Sequence, residues 1–80
     1  MYVDPRDLIG EKLSTIQEKY WIEDSNSDIR FNQYRIINVN VTYGGLGKFD
    51  SIYAEDVLGM LYKFCADDFL DPDIHVCKLD

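Results

Sequence analysis

The chain has 80 residues, of which 46% are hydrophobic and 14% aromatic, and this size and composition predict a single compact domain over residues 1–80. The formal net charge is −7, which argues against direct binding of nucleic acid and favours a protein partner with a basic surface. The chain lacks an apolar run of about 18 residues and an N-terminal signal pattern, so we expect no membrane span and a cytoplasmic location, in the producing cell or in a host cell.

Residues 4–20 are predicted to form the first helix. Asp4 precedes Pro5, which is typical of a capped helix start, because proline has no N–H to leave unsatisfied in the first turn. Apolar side chains then recur at helical spacing, at Ile9, Leu13, Ile16 and Tyr20. The polar stretch 23–28 that follows is predicted to be a loop.

The clearest pattern in the chain is the alternation of apolar and polar residues over 34–43, which predicts a half-buried strand. The apolar side of this strand would carry Ile37, Val39, Val41 and Tyr43. Gly44 and Gly45 predict a hairpin turn, followed by a short partner strand. The pattern leaves open whether residues 29–43 form one strand or two.

Residues 54–66 are predicted to form a second helix that starts somewhere between 51 and 54. Its buried stripe would contain Ala54, Val57, Leu58, Leu61 and Cys65. The alternation over 74–79 predicts a final strand. The order α-β-β-α-β therefore predicts an α+β fold, a two-layer sandwich in which both helices pack on one face of a small antiparallel or mixed sheet of three or four strands.

The sequence predicts no catalytic residue, no metal site and no cofactor. The glycines before Lys48 lack the spacing of a phosphate-binding loop. His75 with the two cysteines lacks the paired spacing of a structural zinc site, and the acids of 67–73 do not follow the calcium-loop pattern. We expect a protein that is not an enzyme, with Cys65 and Cys77 as reduced core thiols.

A protein-binding surface is predicted on the second helix and in the loop after it. Eleven aromatic residues are more than the core of an 80-residue chain can hide, and exposed aromatic side chains are common at interfaces. Eight of the fifteen acidic residues follow position 48, so this surface would be acidic. The predicted contact residues are Tyr53, Glu55, Asp56, Met60, Tyr62, Asp67, Asp68, Asp71 and Asp73.

These features together predict a small acidic inhibitor that occludes a basic site on a target protein. If the target binds nucleic acid, carboxylates would take the places of phosphates. Such a mechanism is similar in style to that of nucleic-acid-mimicking phage and mobile-element proteins (anti-restriction or anti-CRISPR proteins) and to that of immunity proteins and antitoxins. The alternative is a structural or assembly subunit that forms a homodimer through a sheet edge or through the aromatic face of the second helix.

Overall fold

The computed structural model describes residues 1–26, 32–41 and 49–79. Within these residues the strands are β1 (Tyr2–Val3), β2 (Tyr20–Asp24), β3 (Gln33–Val41), β4 (Phe49–Glu55), β5 (Leu61–Cys65) and β6 (Ile74–Lys78). The helical elements there are α1 (Leu13–Lys19) and the 3-10 helices Pro5–Leu8 and Ala66–Leu70. The predicted strand start at 29–31 and the predicted Gly44–Gly45 turn lie outside the described residues.

The six described strands form one antiparallel sheet in the order β1-β6-β2-β3-β4-β5. Strand β3 joins its two halves. Gln33 and Tyr34 at its start pair with β2, and the part from Arg35 to Val41 pairs with β4. Strands β1 and β5 are the two edges of the sheet.

The predicted α-β-β-α-β sandwich is wrong. The described residues contain six strands rather than three or four, and one α-helix rather than two. The second helix, predicted over 54–66, is replaced by the end of β4, a tight turn and β5. The predicted strand at the end of the chain is confirmed as β6, and the strand predicted over 34–43 is confirmed as far as β3 is described.

The prediction of a second helix is wrong because the apolar residues of 52–64 fit both the spacing of a helix and the alternation of a strand. Ile52, Ala54 and Phe64 follow the period of a strand, and all three are buried. The apolar stripe of the predicted helix is exposed instead, with Val57, Leu58 and Leu61 at 64%, 70% and 65% of full exposure. Gly59 adopts a φ of +84°, which a helix cannot continue through and a turn requires.

The first helix is divided into two pieces. Asp4 and Pro5 start a helix as predicted, and the carboxylate of Asp4 accepts a hydrogen bond from the Arg6 N–H at 2.9 Å. This 3-10 helix ends at Leu8, however, and Gly10 has a φ of +87°, so the chain changes direction before α1 begins at Leu13.

The core lies between one face of the sheet and the two N-terminal helical pieces. Its buried apolar members are Leu8, Ile16, Tyr20, Ile22, Tyr34, Ile36, Ile52, Ala54, Phe64 and Val76. In β3 the pairing with β4 shifts between Ile36 and Asn38. This bulge at Ile37 changes the side that faces the core, so Ile36 is buried before it and Val39 packs against the core after it.

The two cysteines occupy different environments. Cys77 is buried in β6, whereas Cys65 is exposed at the end of β5, and both are free thiols. The prediction of two core thiols is therefore confirmed for Cys77 and wrong for Cys65. Of the helices that the structure describes, none combines the length and the apolar character that crossing a membrane requires.

Candidate protein-binding surface

The turn between β4 and β5 exposes a cluster of apolar side chains, which we call the hairpin tip. Its members are Val57, Leu58, Met60 and Leu61, with exposures of 64%, 70%, 59% and 65%. Single exposed apolar side chains are common on protein surfaces, but a contiguous group indicates a contact surface. These four side chains lie in and directly after one tight turn, and each is more than half exposed there.

Asp56 fixes the backbone of the hairpin tip. Its carboxylate Oδ1 accepts hydrogen bonds from the N–H groups of Leu58 at 2.9 Å and Met60 at 3.0 Å. Its own N–H donates to the carbonyl of Met60 at 3.0 Å, and its carbonyl accepts from the Gly59 N–H at 3.0 Å. Aspartate is favoured at such turns because its short side chain reaches the backbone two residues on. The apolar side chains are thus displayed on an ordered turn.

Tyr62 connects the hairpin tip to the core. Its hydroxyl donates to Oδ2 of Asp56 at 3.4 Å, and its ring meets the ring of Tyr34 edge to face, with 5.2 Å between centroids. Desolvation, followed by the charge of Asp56, raises the pKa of the Tyr62 hydroxyl. The hydroxyl therefore stays protonated at neutral pH and available as a donor.

Beside the hairpin tip lies a cleft of about 400 Å³, bounded by α1, β2, β3 and the end of β4. Aromatic side chains from β2 and β3 form part of its wall, and Val57 of the hairpin tip lines it as well. The acidic residues that line it are Glu18, Glu55 and Asp56. The cleft and the hairpin tip are therefore continuous through Val57, just after β4 ends.

Arg35 also lines the cleft. One terminal nitrogen of its guanidinium lies 3.5 Å from Oε1 of Glu55, and the other donates to Oε1 of Gln17 at 3.3 Å. The amide nitrogen of Gln17 donates to the carbonyl of Ile36 at 3.0 Å, which turns the amide oxygen towards Arg35. The Arg35 side chain is 61% exposed and that of Glu55 is 30% exposed, so solvent weakens this ion pair.

The nine predicted contact residues fall into separate groups. Glu55, Asp56, Met60 and Tyr62 meet at the hairpin tip and the cleft. Tyr53 lies between buried Ile52 and Ala54 on β4 and is 37% exposed. Strand alternation puts it on the same side of the sheet as Glu55, but it is not among the described residues that line the cleft.

The four remaining predicted residues, Asp67, Asp68, Asp71 and Asp73, follow the other end of β5, which is about 13 Å away at the usual strand rise. Two of these acids hold local structure. Asp68 Oδ2 accepts from the Cys65 N–H at 2.7 Å, and Asp71 Oδ1 accepts from the Asp73 N–H at 2.9 Å. The acidic residues after position 48 therefore do not form one surface.

Part of this surface does not follow from the sequence pattern. Helical spacing places Val57, Leu58 and Leu61 in a buried stripe. The signal for a hairpin is the presence of Asp56 and Gly59, two residues typical of turns, between two stretches of alternating residues. Trp21 and Arg35 both line the cleft because strands that are distant in the sequence pair with one another. A local sequence pattern does not predict such pairing.

The described residues contain no group of three or more His, Cys, Asp or Glu side chains that could hold a metal ion. In the same residues every buried side-chain nitrogen and oxygen has a hydrogen-bond partner. Comparison of the chain with models of protein families, with curated proteins and with solved structures finds no match.

Proposed function

We propose that the protein is a small, acidic, non-enzymatic inhibitor that binds a target protein and occludes a basic site on it. The hairpin tip is the observation that supports this proposal, because it displays four apolar side chains that are each at least 59% exposed. Burial of exposed apolar surface is a main favourable contribution to protein association. Glu18 and Glu55 lie beside these side chains and would attract and orient a basic partner.

The order of the hairpin tip supports a role in tight binding. Association costs free energy whenever loops and side chains must be ordered at the interface. Here Asp56 has already fixed the backbone of Leu58 and Met60. The tip can therefore enter an apolar pocket on the target without a large loss of backbone entropy.

The charge of the chain supports the choice of target class. The net charge is −7, and a target that binds nucleic acid presents the complementary basic surface. In this proposal the protein competes with nucleic acid for that surface, as nucleic-acid-mimicking phage and mobile-element proteins do. Immunity proteins and antitoxins inhibit by the same kind of occlusion.

The experiment that tests the proposal is affinity capture from the source cells with three forms of the protein. The double variant Leu58→Ser with Met60→Ser removes apolar area from the hairpin tip. The control Leu70→Ser removes an apolar side chain that is 82% exposed but lies beyond the other end of β5. We expect the wild-type protein and the control to retain one specific partner, and the double variant to lose it at least tenfold, which corresponds to about 1.4 kcal/mol.

Loss of the partner in the control as well, or its retention in the double variant, would contradict this assignment of the contact surface. The salt dependence tests the electrostatic part of the proposal. Binding to a basic site should weaken as the salt concentration rises from about 0.05 M to about 0.5 M, because exposed charges are screened. Salt-independent capture would show that the acidic side chains do not contribute.

A second candidate function is an assembly subunit that pairs with its own kind. The observation that favours it is the position of β5 at the end of the order of the described strands, where β4 is its neighbour on one side and no described strand lies on the other. An edge strand is a template for adding another strand. Light scattering of the purified protein at low and high salt tests this alternative. Assembly predicts a salt-insensitive oligomer, whereas the inhibitor is expected to be a monomer or a dimer whose complex with its target weakens with salt.

A further inference from the structure

We propose that the cleft beside the hairpin tip binds the guanidinium group of an arginine side chain of the target. The proposal rests on the proposed function for the origin of this arginine. The preference of the cleft for a guanidinium group rests on the geometry of the cleft itself and can be measured without a target.

The charges that face the cleft favour a cation. Among the residues that the structure describes, three carboxylates line it, from Glu18, Glu55 and Asp56, and one cationic group, the guanidinium of Arg35. This described lining carries an excess of negative charge, which repels phosphate and carboxylate ligands and attracts a positive one.

The aromatic wall provides a second attraction for a cation. Trp21 lines the cleft, and its indole N–H donates to Oε1 of Glu23 at 3.1 Å, which holds the ring in place. The electron-rich face of an aromatic ring attracts cations, and tryptophan does so more strongly than other residues. Arginine pairs with such rings well, because its planar guanidinium can also stack on them.

The contacts of Arg35 show that the oxygen acceptors of Glu55 and Gln17 can bind a guanidinium group. Its two terminal nitrogens reach Glu55 at 3.5 Å and Gln17 at 3.3 Å. Both distances are long for charge-assisted hydrogen bonds, which are about 2.7–2.9 Å when strong. A guanidinium that approaches from the target can compete for the same two oxygens at shorter distances, while the exposed Arg35 turns towards solvent.

The fit favours arginine over lysine. The acceptors available are oxygens on different elements, Glu18 and Gln17 on α1 and Glu55 on β4. A planar fork of five N–H donors can reach acceptors in several directions, whereas an ammonium group is a compact point charge. The volume of about 400 Å³ holds one side chain together with water.

A titration with arginine amide tests the cleft directly. Trp21 is the only tryptophan of the chain, so its fluorescence and its indole N–H signal in NMR spectra report on this wall alone. Citrulline amide is the matched control, because it keeps the α-amino group and has a side chain of nearly the same shape that carries no charge. We expect arginine amide to shift both signals with a dissociation constant on the order of millimolar, lysine amide to bind more weakly, and citrulline amide to leave both signals unchanged.

Three variants assign the effect to the named residues. Arg35→Gln removes the internal competitor and one positive charge, so arginine amide should bind about two- to fivefold more tightly, the range expected for an exposed charge pair. Glu18→Gln and Glu55→Gln should each weaken binding by a similar factor. Asp67→Asn removes the same amount of negative charge but lies far from the cleft, and it should leave the dissociation constant unchanged.

Equal binding of citrulline amide, unshifted Trp21 signals, or weaker binding by Arg35→Gln would overturn the proposal. The capture experiment and the arginine amide titration together separate a failure of this proposal from a failure of the proposed function. If arginine amide does not bind but the double variant of the hairpin tip still loses its target, only the cleft has been assigned wrongly. If arginine amide binds and the double variant still captures the target, the inhibitor surface is wrong and the cleft preference holds.

Discussion

Asp56 has two tasks that depend on the same carboxylate. It accepts hydrogen bonds from the backbone of the hairpin tip and from the hydroxyl of Tyr62, and it contributes negative charge to the cleft. The residue is only 9% exposed. Its main contribution is therefore to the stability of the turn, and little of its surface is available to a partner. The sequence pattern predicts Asp56 as a contact residue but places it on the exposed face of a helix.

We predict that Asp56→Ala destabilises the protein by about 1–3 kcal/mol, because the N–H groups of Leu58 and Met60 lose their acceptor. Asp56→Asn should cost less, since the amide oxygen can still accept a hydrogen bond. Urea denaturation measures both effects. Asp67→Ala, an exposed acid in the first turn of a 3-10 helix, is the control and should change the free energy of unfolding by less than about 0.5 kcal/mol.

Single residues also show where local sequence rules succeed. Asp4 and Pro5 start a helix as their types predict, because capping depends only on adjacent backbone groups. The bulge at Ile37 was not predictable in this way. Together with a second shift in the pairing between Asn40 and Val41, it leaves Val39 as the one described residue of the predicted apolar side that packs against the core, while Val41 is 42% exposed.

The backbone of β5 directs its hydrogen bonds alternately towards β4 and away from it. At the turn the Asp56 N–H donates to the Met60 carbonyl, so the backbone of Met60 points towards β4, and this direction alternates from residue to residue along an antiparallel ladder. Tyr62 and Phe64 therefore direct their N–H groups towards β4, whereas Leu61, Lys63 and Cys65 direct theirs away from it. The Cys65 N–H agrees with this pattern, because it donates to Asp68.

This alternation predicts opposite effects of proline at adjacent positions. Lys63→Pro removes an N–H that points away from β4 and should leave the protein folded, since proline is tolerated in edge strands. Tyr62→Pro removes a bond to β4 and should destabilise by about 3 kcal/mol or more. Thermal unfolding followed by circular dichroism compares the two variants, and equal destabilisation would show that the register of β5 is different.

The same hairpin explains why a helix was predicted at this scale. From Ile52 to Phe64 the apolar residues fit a helix as well as a strand, and acids stand where the first turn of that helix would be. The decisive residue is Gly59, whose φ of +84° ends one strand and allows the next. A glycine inside a helical pattern is a weak signal in sequence but a strong one once the turn is known.

The strand order separates the two cysteines. Cys77 lies in β6 near one edge of the sheet, and Cys65 lies in β5 at the other. Burial, with a smaller effect from Glu23, raises the pKa of the Cys77 thiol to about 11. Cys65 is exposed, so the two thiols should differ in reactivity.

We predict that a thiol reagent such as 5,5′-dithiobis(2-nitrobenzoic acid) modifies one thiol rapidly in the native protein and the second only after unfolding. The thiolate is the reacting form, and Cys77 is both buried and protonated at about pH 8. Cys65→Ser should remove the rapid phase. A rapid phase that remained in this variant would place Cys77 at the surface and contradict the position of β6.

The charge and the aromatic content are properties of the composition, and they predict a contact surface without locating it. The surface proposed here could not be located from the sequence, because the cleft combines residues of α1, β2, β3 and β4 that only the tertiary fold brings together. The acidic residues after position 48 are close to one another in the sequence, but β5 divides them in space.

The strand order also has a consequence for the folding pathway. The hairpin of β4 and β5 closes over a turn of a few residues, whereas β1 pairs Tyr2 with Cys77 and Val3 with Val76, contacts that span almost the whole chain. Short loops close at a small entropic cost and long ones at a larger cost. The hairpin of β4 and β5 should therefore form early. The pairing of β1 with β6, which joins the two ends of the chain, should form last and set the folding rate.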